Sequence, residues 1–266
     1  MKRIKPISAR LKIRRRQERF WRKFMEWVDR HGDSRWVFRG HGDPSFTLTP
    51  GVGRSASYRL ADERTILEIF DRRVPEFRDA HYMTVWDKLA LAQHHGLPTR
   101  LLDWTSNPLV AAFFAVTAEA ANAQGKLLNG TARVTGKALS VRPEKRTIDA
   151  QIIAWPVTSR SVIDTGLQED PFALTDIGFL LPRSLTTRIV TQGGLFSVHP
   201  RPNDPWLEPL QDPDDIFVIP GNLRTYFQRK LFYLGIDPQR IMGGIDGLCA
   251  RVAWQYHSHI GFGAVR

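Results

Sequence analysis

Between Arg16 and His31 the apolar positions Phe20, Phe24, Trp27 and Val28 recur at three- and four-residue spacing, which predicts a helix docking one aromatic face. Gly32, Asp33 and Ser34 close it, and RWVFR over residues 35–39 reads as a short strand with Trp36 and Phe38 on one side. Residues 40–60, rich in Gly, Pro and Ser, read as a long surface loop of the kind that borders a site. Helical stripes return over 61–80, through Ile66, Ile69, Phe70 and Phe77, and over 84–95, through Trp86, Leu89 and Ala92. Asn107 and Pro108 then supply a cap and a first-turn proline for the apolar helix LVAAFFAVTAEAA.

Beyond that helix the pattern weakens. Residues 122–147 are polar and basic and suggest a strand within an extended loop; 148–157 is strand-like. TTRIVTQGGLFSVH over 186–199 is a better strand, and its two glycines suggest a bulge or a close approach of a ligand. Residues 215–219 read as a short strand, and 222–234 and 244–254 as helices. No repeat or low-complexity block divides the chain, so the expectation is a basic flexible arm over 1–15 and a single domain over 16–266.

Composition sharpens this in two ways. At 266 residues with 42% hydrophobic positions the chain has enough apolar side chains for a sizeable core, and no run nears the roughly 20 apolar residues of a membrane span. The charged start lacks the apolar stretch of a secretory signal, and the single cysteine excludes a disulfide framework or a cysteine-rich zinc site; both favour a cytoplasmic setting. Cys249, inside an apolar helical pattern, reads as core packing. The net charge of +11 is concentrated: eleven lysines and arginines against Glu18 alone put +10 of it within residues 1–23. Such an arm, with Lys12, Arg14, Arg15 and Arg16 at its inner end, fits nucleic acid, an anionic surface or a solubilising tail; nucleic acid is the expected partner, with strongly salt-dependent binding, and no membrane.

Two stretches stand out together: WVFRGH at 36–41 and QHHGLPTRLLDWTSNPLVAAFFA at 93–115. They resemble the FRG-domain family, which takes its name from the tripeptide Phe38-Arg39-Gly40, and the later RIVTQGGLF, LGI and IDGL segments extend the resemblance over about residues 30–253. An aromatic-Arg-Gly strand followed by a Thr-Ser strand end that enters an Ala- and Phe-rich helix is also similar to the Arg, Ser-Thr-Ser, Glu layout of ADP-ribosyltransferases. That second resemblance implies an α+β fold with a mixed sheet and flanking helices. It implies NAD as substrate; the FRG-family resemblance implies a toxin or antiphage role in bacteria, and the lack of metal-ligand motifs leaves no metal expected. The second resemblance places Arg39 at the first motif and Asp103, Thr105 and Ser106 at the second, and it offers Gln192 where the third motif carries a glutamate. Gln cannot take a proton at neutral pH, so a non-catalytic nucleotide-binding or nucleic-acid-binding module is the alternative reading; Glu208 is the other acid within reach along the chain.

The candidate residues follow. Arg39 is expected to hold a pyrophosphate or ribose through its planar fork, or else to pair internally with Asp103 or with a carboxylate of the 61–80 helix. Gly40 and His41 flank it, with His41 expected to be exposed as a lid contact. His94 and His95, being adjacent, point to different sides of a helix and cannot both face one metal; each is either structural or a ligand contact. One of Thr105, Ser106 and Asn107 caps the apolar helix, leaving the other side chains for the site. Arg100 and Asp103 are expected to pair locally, and Gln192 to meet the ligand beside Gly193 and Gly194. No Walker loop, HExxH pair, GxSxG elbow or nuclease-like acid cluster is present.

Overall fold

Helix α1 (Ile7–Arg30) presses Phe24 and Trp27 into an apolar cluster, where both are buried. The computed structural model, which describes residues 7–77, 82–117, 148–182 and 193–258, starts this helix well before Arg16. The stretch leading to Arg16 holds Ala, Leu, Arg and Lys, good helix formers without a breaker, and Pro6 stands just ahead of it, so clustered like charge does not stop the helix there. Lys12, Arg14, Arg15 and Arg16 therefore stand exposed on the first turns of a helix that is anchored further along by its aromatic face.

Strands β1 (Trp36–His41), β2 (Leu101–Thr105), β3 (Ala150–Pro156), β4 (Gly178–Leu180), β5 (Gly194–Val198) and β6 (Ile216–Ile219) form one open sheet in the order β4-β5-β2-β1-β3-β6. The class is α+β, but every ladder is antiparallel where a mixed sheet was expected; each strand runs against its neighbours, and parallel pairing is confined among the described residues to an isolated Val162–Phe179 bridge. The ladders are unequal. Six residue pairs register β1 against β3 and five register β2 against β5, whereas β1 and β2 share only Phe38 opposite Thr105. The sheet parts at its middle.

Cross-strand neighbours share a face, so Phe38, Thr105, Asp103 and Phe196 lie on the same side. Two groups of helices cover that side. Under β1 and β3 sit α1, α4 (Pro108–Thr117) and α5 (Arg224–Tyr233); under β2 and β5 sit α2 (Leu60–Arg73) and α3 (Val85–His94). Among the described residues no α-helix covers the opposite side: Val37, Trp104, Ile153, Phe179 and Leu195 are roofed by Leu48 and Trp206, which a Leu48–Trp206 bridge ties together.

Glycine decides two local features. A Cβ on Gly40 would stand 2.0 Å from the Ala111 carbonyl oxygen, so only glycine lets α4 lie this close to β1. Gly96, at φ +88°, ends α3: its N–H reaches Gln93 O at 3.0 Å and the Leu97 N–H reaches Ala92 O at 2.9 Å, the paired bonds of a left-handed helix stop that turns the chain into β2.

Two elements carry no sequence signal, and three readings change or fall elsewhere. The short β4 and the helix α6 (Pro238–Met242) have too few residues to show a period. Cys249 is exposed, because α7 (Gly244–Ser258) packs on α6 rather than on the sheet and leaves Ile245, Leu248 and Val252 facing outward. The strand expected within 122–147 and the first part of the 186–199 strand lie outside the described residues.

Candidate functional site

Where β1 and β2 part, the two helix groups leave a cleft of about 470 Å³ between them. Phe38, Arg39 and Gly40 line it from β1, Asp103, Trp104 and Thr105 from β2, and Gly194, Leu195 and Phe196 from β5. Ala111 and Phe114 of α4 form one wall; Gln93 and His94 of α3, with Gly96, form the other. Two motifs that stand more than fifty residues apart in the chain thus meet across one gap.

Arg39 spans the split. Its Nη1 donates to the backbone oxygen of Asp103 on the facing strand, and its Nε donates to His41 Nε2 at 3.2 Å. Both acceptors are neutral. Among the described residues no carboxylate forms an ion pair with Arg39, and its remaining N–H groups have no hydrogen-bond acceptor. Desolvation pushes its pKa down to about 10, against a partial rescue by the Asp103 charge, so it remains a cation at neutral pH.

His41 is 4% exposed, contrary to the expected lid position, because it is the last residue of β1 and sits under the loop bearing Phe46. Its pKa is pushed down to about 3, first by burial and then by Arg39 and Arg54. Held neutral, it accepts from Arg39 through Nε2; the proton then resides on Nδ1, a buried atom with no hydrogen-bond partner among the described residues. His41 positions Arg39 from behind rather than lining the cleft.

On the opposite wall a relay of amides and hydroxyls fixes Asp103. Gln93 Nε2 donates to Asp103 Oδ2 at 3.0 Å, Thr99 Oγ1 donates to Gln93 Oε1 at 2.7 Å, and the Leu101 N–H donates to Thr99 Oγ1 at 3.2 Å. Gln93 begins the quoted motif as the penultimate residue of α3, and its signal is that place at the helix end, facing the strand. Asn107 is the cap of α4, accepting from the Leu109 N–H at 2.9 Å, and Thr105 Oγ1 in turn accepts from the Asn107 N–H at 3.0 Å. Ser106 is exposed and its N–H donates to Gly193 O at 3.0 Å, so it ties β2 to the turn before β5 instead of lining the cleft.

His94 lines the cleft, half-buried, while His95 is exposed and meets the His94 ring edge-on at 4.9 Å. Arg100 does not pair with Asp103. It makes a bidentate bond to the buried Glu63 of α2, at 2.9 and 2.8 Å, because an interior carboxylate attracts far more strongly than one facing water. Glu208 lines a different cavity on the other side of the sheet, and Gln192 lies outside the described residues. No group of three or more His, Cys, Asp or Glu among the described residues is placed to hold a metal ion.

Residues 34–124 match the family model of the FRG domain. The chain carries an FRG domain. Its matched segment contains both halves of the Arg39–Asp103 contact, and with it most of the cleft. No curated protein and no solved structure gives a significant match. No helix among the described residues is long and apolar enough to cross a membrane.

Proposed function

We propose that the FRG-domain cleft binds NAD and that the protein transfers its ADP-ribose unit to a nucleic acid or protein target. The observation that carries this reading is Arg39: a desolvated guanidinium at the neck of a cleft, braced by neutral acceptors alone, with donor groups left over. A pyrophosphate supplies the missing charge and matches the planar fork. The N-terminus of α4, capped at Asn107 beside Thr105, adds a favourable potential for an anion. The cleft volume falls in the range of small-molecule sites, and Phe38, Phe114 and Phe196 provide apolar walls for flat rings.

In the transfer the bond from the ribose C1′ to the nicotinamide nitrogen breaks, the electron pair leaves with nicotinamide, and an acceptor oxygen or nitrogen bonds to C1′ and gives up its proton to Asp103 or to water. The protein contributes position and electrostatics, with Arg39 holding the pyrophosphate. The exposed cations Lys12, Arg14, Arg15 and Arg16 on α1 favour a nucleic-acid target. Incubation with labelled NAD, followed by separation of DNA, RNA and protein and by a nicotinamide assay, tests the whole reading. Label on one pool that is lost in Arg39→Met supports transfer; neither label nor nicotinamide from a folded protein overturns it.

A second reading, a nucleotide-binding module without chemistry, is favoured by one fact: Asp103 is the only carboxylate among the described residues that line the cleft. Calorimetric binding of NAD without nicotinamide release selects this alternative.

A further inference from the structure

On the side of the sheet away from the helices, a second cavity of about 640 Å³ opens beside Trp155, Trp206 and His199. His199 forms part of its lining and is 1% exposed. Its hydrogen bonds fix its tautomer. The Trp104 indole N–H, which only donates, reaches Ser197 Oγ at 3.0 Å; among the described residues the Ser197 hydroxyl has no acceptor other than His199 Nε2, at 2.9 Å, so its proton is used there. His199 therefore carries its proton on Nδ1, and no described residue accepts it. Burial, with Arg39 and Arg100 behind it, pushes the His199 pKa down to about 3, so this is a neutral donor over the whole physiological range.

The rest of the lining has a different character. The half-buried Trp155 ring packs edge-to-face on Trp206 at 5.0 Å. Asp176, Asp204 and Glu208 contribute carboxylates, while the only cation of the lining among the described residues, Arg201, is paired with Asp204 at 3.1 Å. The surplus is therefore negative, in a chain whose net charge is +11. These acids do not converge on a metal-sized point; they surround a space large enough for an organic group.

We propose that this cavity binds a planar organic cation of the arginine type, stacked on Trp155 and paired with Asp176 and Glu208, with a carbonyl of the same ligand accepting from His199 Nδ1. An aromatic face, an acidic rim and one neutral buried donor are each used by such a ligand. A nucleobase uses the ring and the donor but leaves the negative surplus unanswered. The site is separate from the cleft and does not depend on how the cleft is read.

The test is calorimetric titration of the full chain with argininamide. Saturable binding is expected, weakened about tenfold in the double variant Asp176→Asn/Glu208→Gln, whose two side chains are exposed and so do not threaten the fold. Citrullinamide, nearly isosteric but uncharged at the side chain, should bind at least as weakly to the native protein. Three results overturn the proposal: no saturable binding at millimolar argininamide, binding indifferent to the double substitution, or adenosine binding more tightly than argininamide, which would mark a nucleobase site instead.

Discussion

Arg39 and Arg100 lie within the same FRG match, each close to the parted centre of the sheet, and their surroundings could hardly differ more. Arg100 is wholly buried and ion-paired: Glu63 takes its fork, Pro171 O accepts from Nη1 at 3.3 Å, and the guanidinium lies 4.3 Å from the Phe172 ring centre. Tyr58 completes the set by donating to Glu63 Oε2 at 2.7 Å. Among the described residues Arg39 bonds to a carbonyl and an imidazole and to no carboxylate. One arginine ties α2 to the strand entry through an interior ion pair; the other is braced by neutral acceptors, its charge offset in part by the nearby Asp103. The two arginines thus differ in partner as well as in burial.

Breaking the structural arginine should have the largest effect. Glu63→Gln leaves Arg100 as an unpaired interior cation, and a loss of about 3–5 kcal/mol is expected, read as a shift of the urea midpoint. Arg100→Met, which removes the charge and leaves Glu63 alone, should cost a similar amount.

Acid should come next, through the two histidines near Arg39. In the unfolded chain a histidine titrates near 6.5, while burial holds His41 and His199 at about 3 in the fold. Between those values the unfolded state binds more protons, so stability is complete above about pH 6.5 and falls as the pH drops toward 3. Each histidine contributes a slope of up to about 1.4 kcal/mol per pH unit. His41→Gln should roughly halve that slope between pH 6 and 4 in a series of denaturant titrations; an unchanged slope would mean that other groups carry the acid sensitivity.

Arg39→Met should barely register by those measures. A half-buried cation with no ion pair among the described residues contributes little to the fold, and its replacement by an apolar side chain is expected to change stability by less than about 1 kcal/mol, in either direction. NAD affinity, by contrast, should fall at least about 100-fold, as for loss of a charge-assisted bidentate contact. Destabilisation comparable to that of Glu63→Gln would place Arg39 in the structural class and remove the basis for the cleft assignment.

The sequence was most legible where a residue's role depends on its near neighbours. The aromatic spacing of Phe20, Phe24 and Trp27 announced the docking of α1, and Asn107-Pro108 announced the start of α4. The convergence of Arg39, Asp103 and Thr105 came from a family resemblance, since nothing local says that a strand near residue 39 meets one near residue 104. The partner of Arg100 was illegible for the same reason: Glu63 sits on an ordinary amphipathic helix, and only the fold shows that its carboxylate is interior. His41 was misjudged because it follows a glycine and precedes a loop, and the roof formed by residues around Phe46 and Leu48 leaves no periodic signature.

The finest discrimination concerns Asp103. Its backbone oxygen braces Arg39, while its carboxylate turns to Gln93 and the cleft, so Asp103→Asn keeps the first contact and alters only the second. An amide in that place can still hydrogen-bond Gln93 after rotation of either group, and the side chain is exposed, so stability should change by less than about 0.5 kcal/mol. If the domain transfers ADP-ribose, the carboxylate is the cleft's available acceptor for a ribose or nucleophile proton, and nicotinamide release should drop at least about 100-fold with NAD affinity nearly intact. If the domain only binds, affinity alone is at issue and the substitution is close to silent. A turnover loss at constant affinity would therefore complete the contrast between the two arginines: one serves the fold, and the other holds a substrate against the acid that works on it.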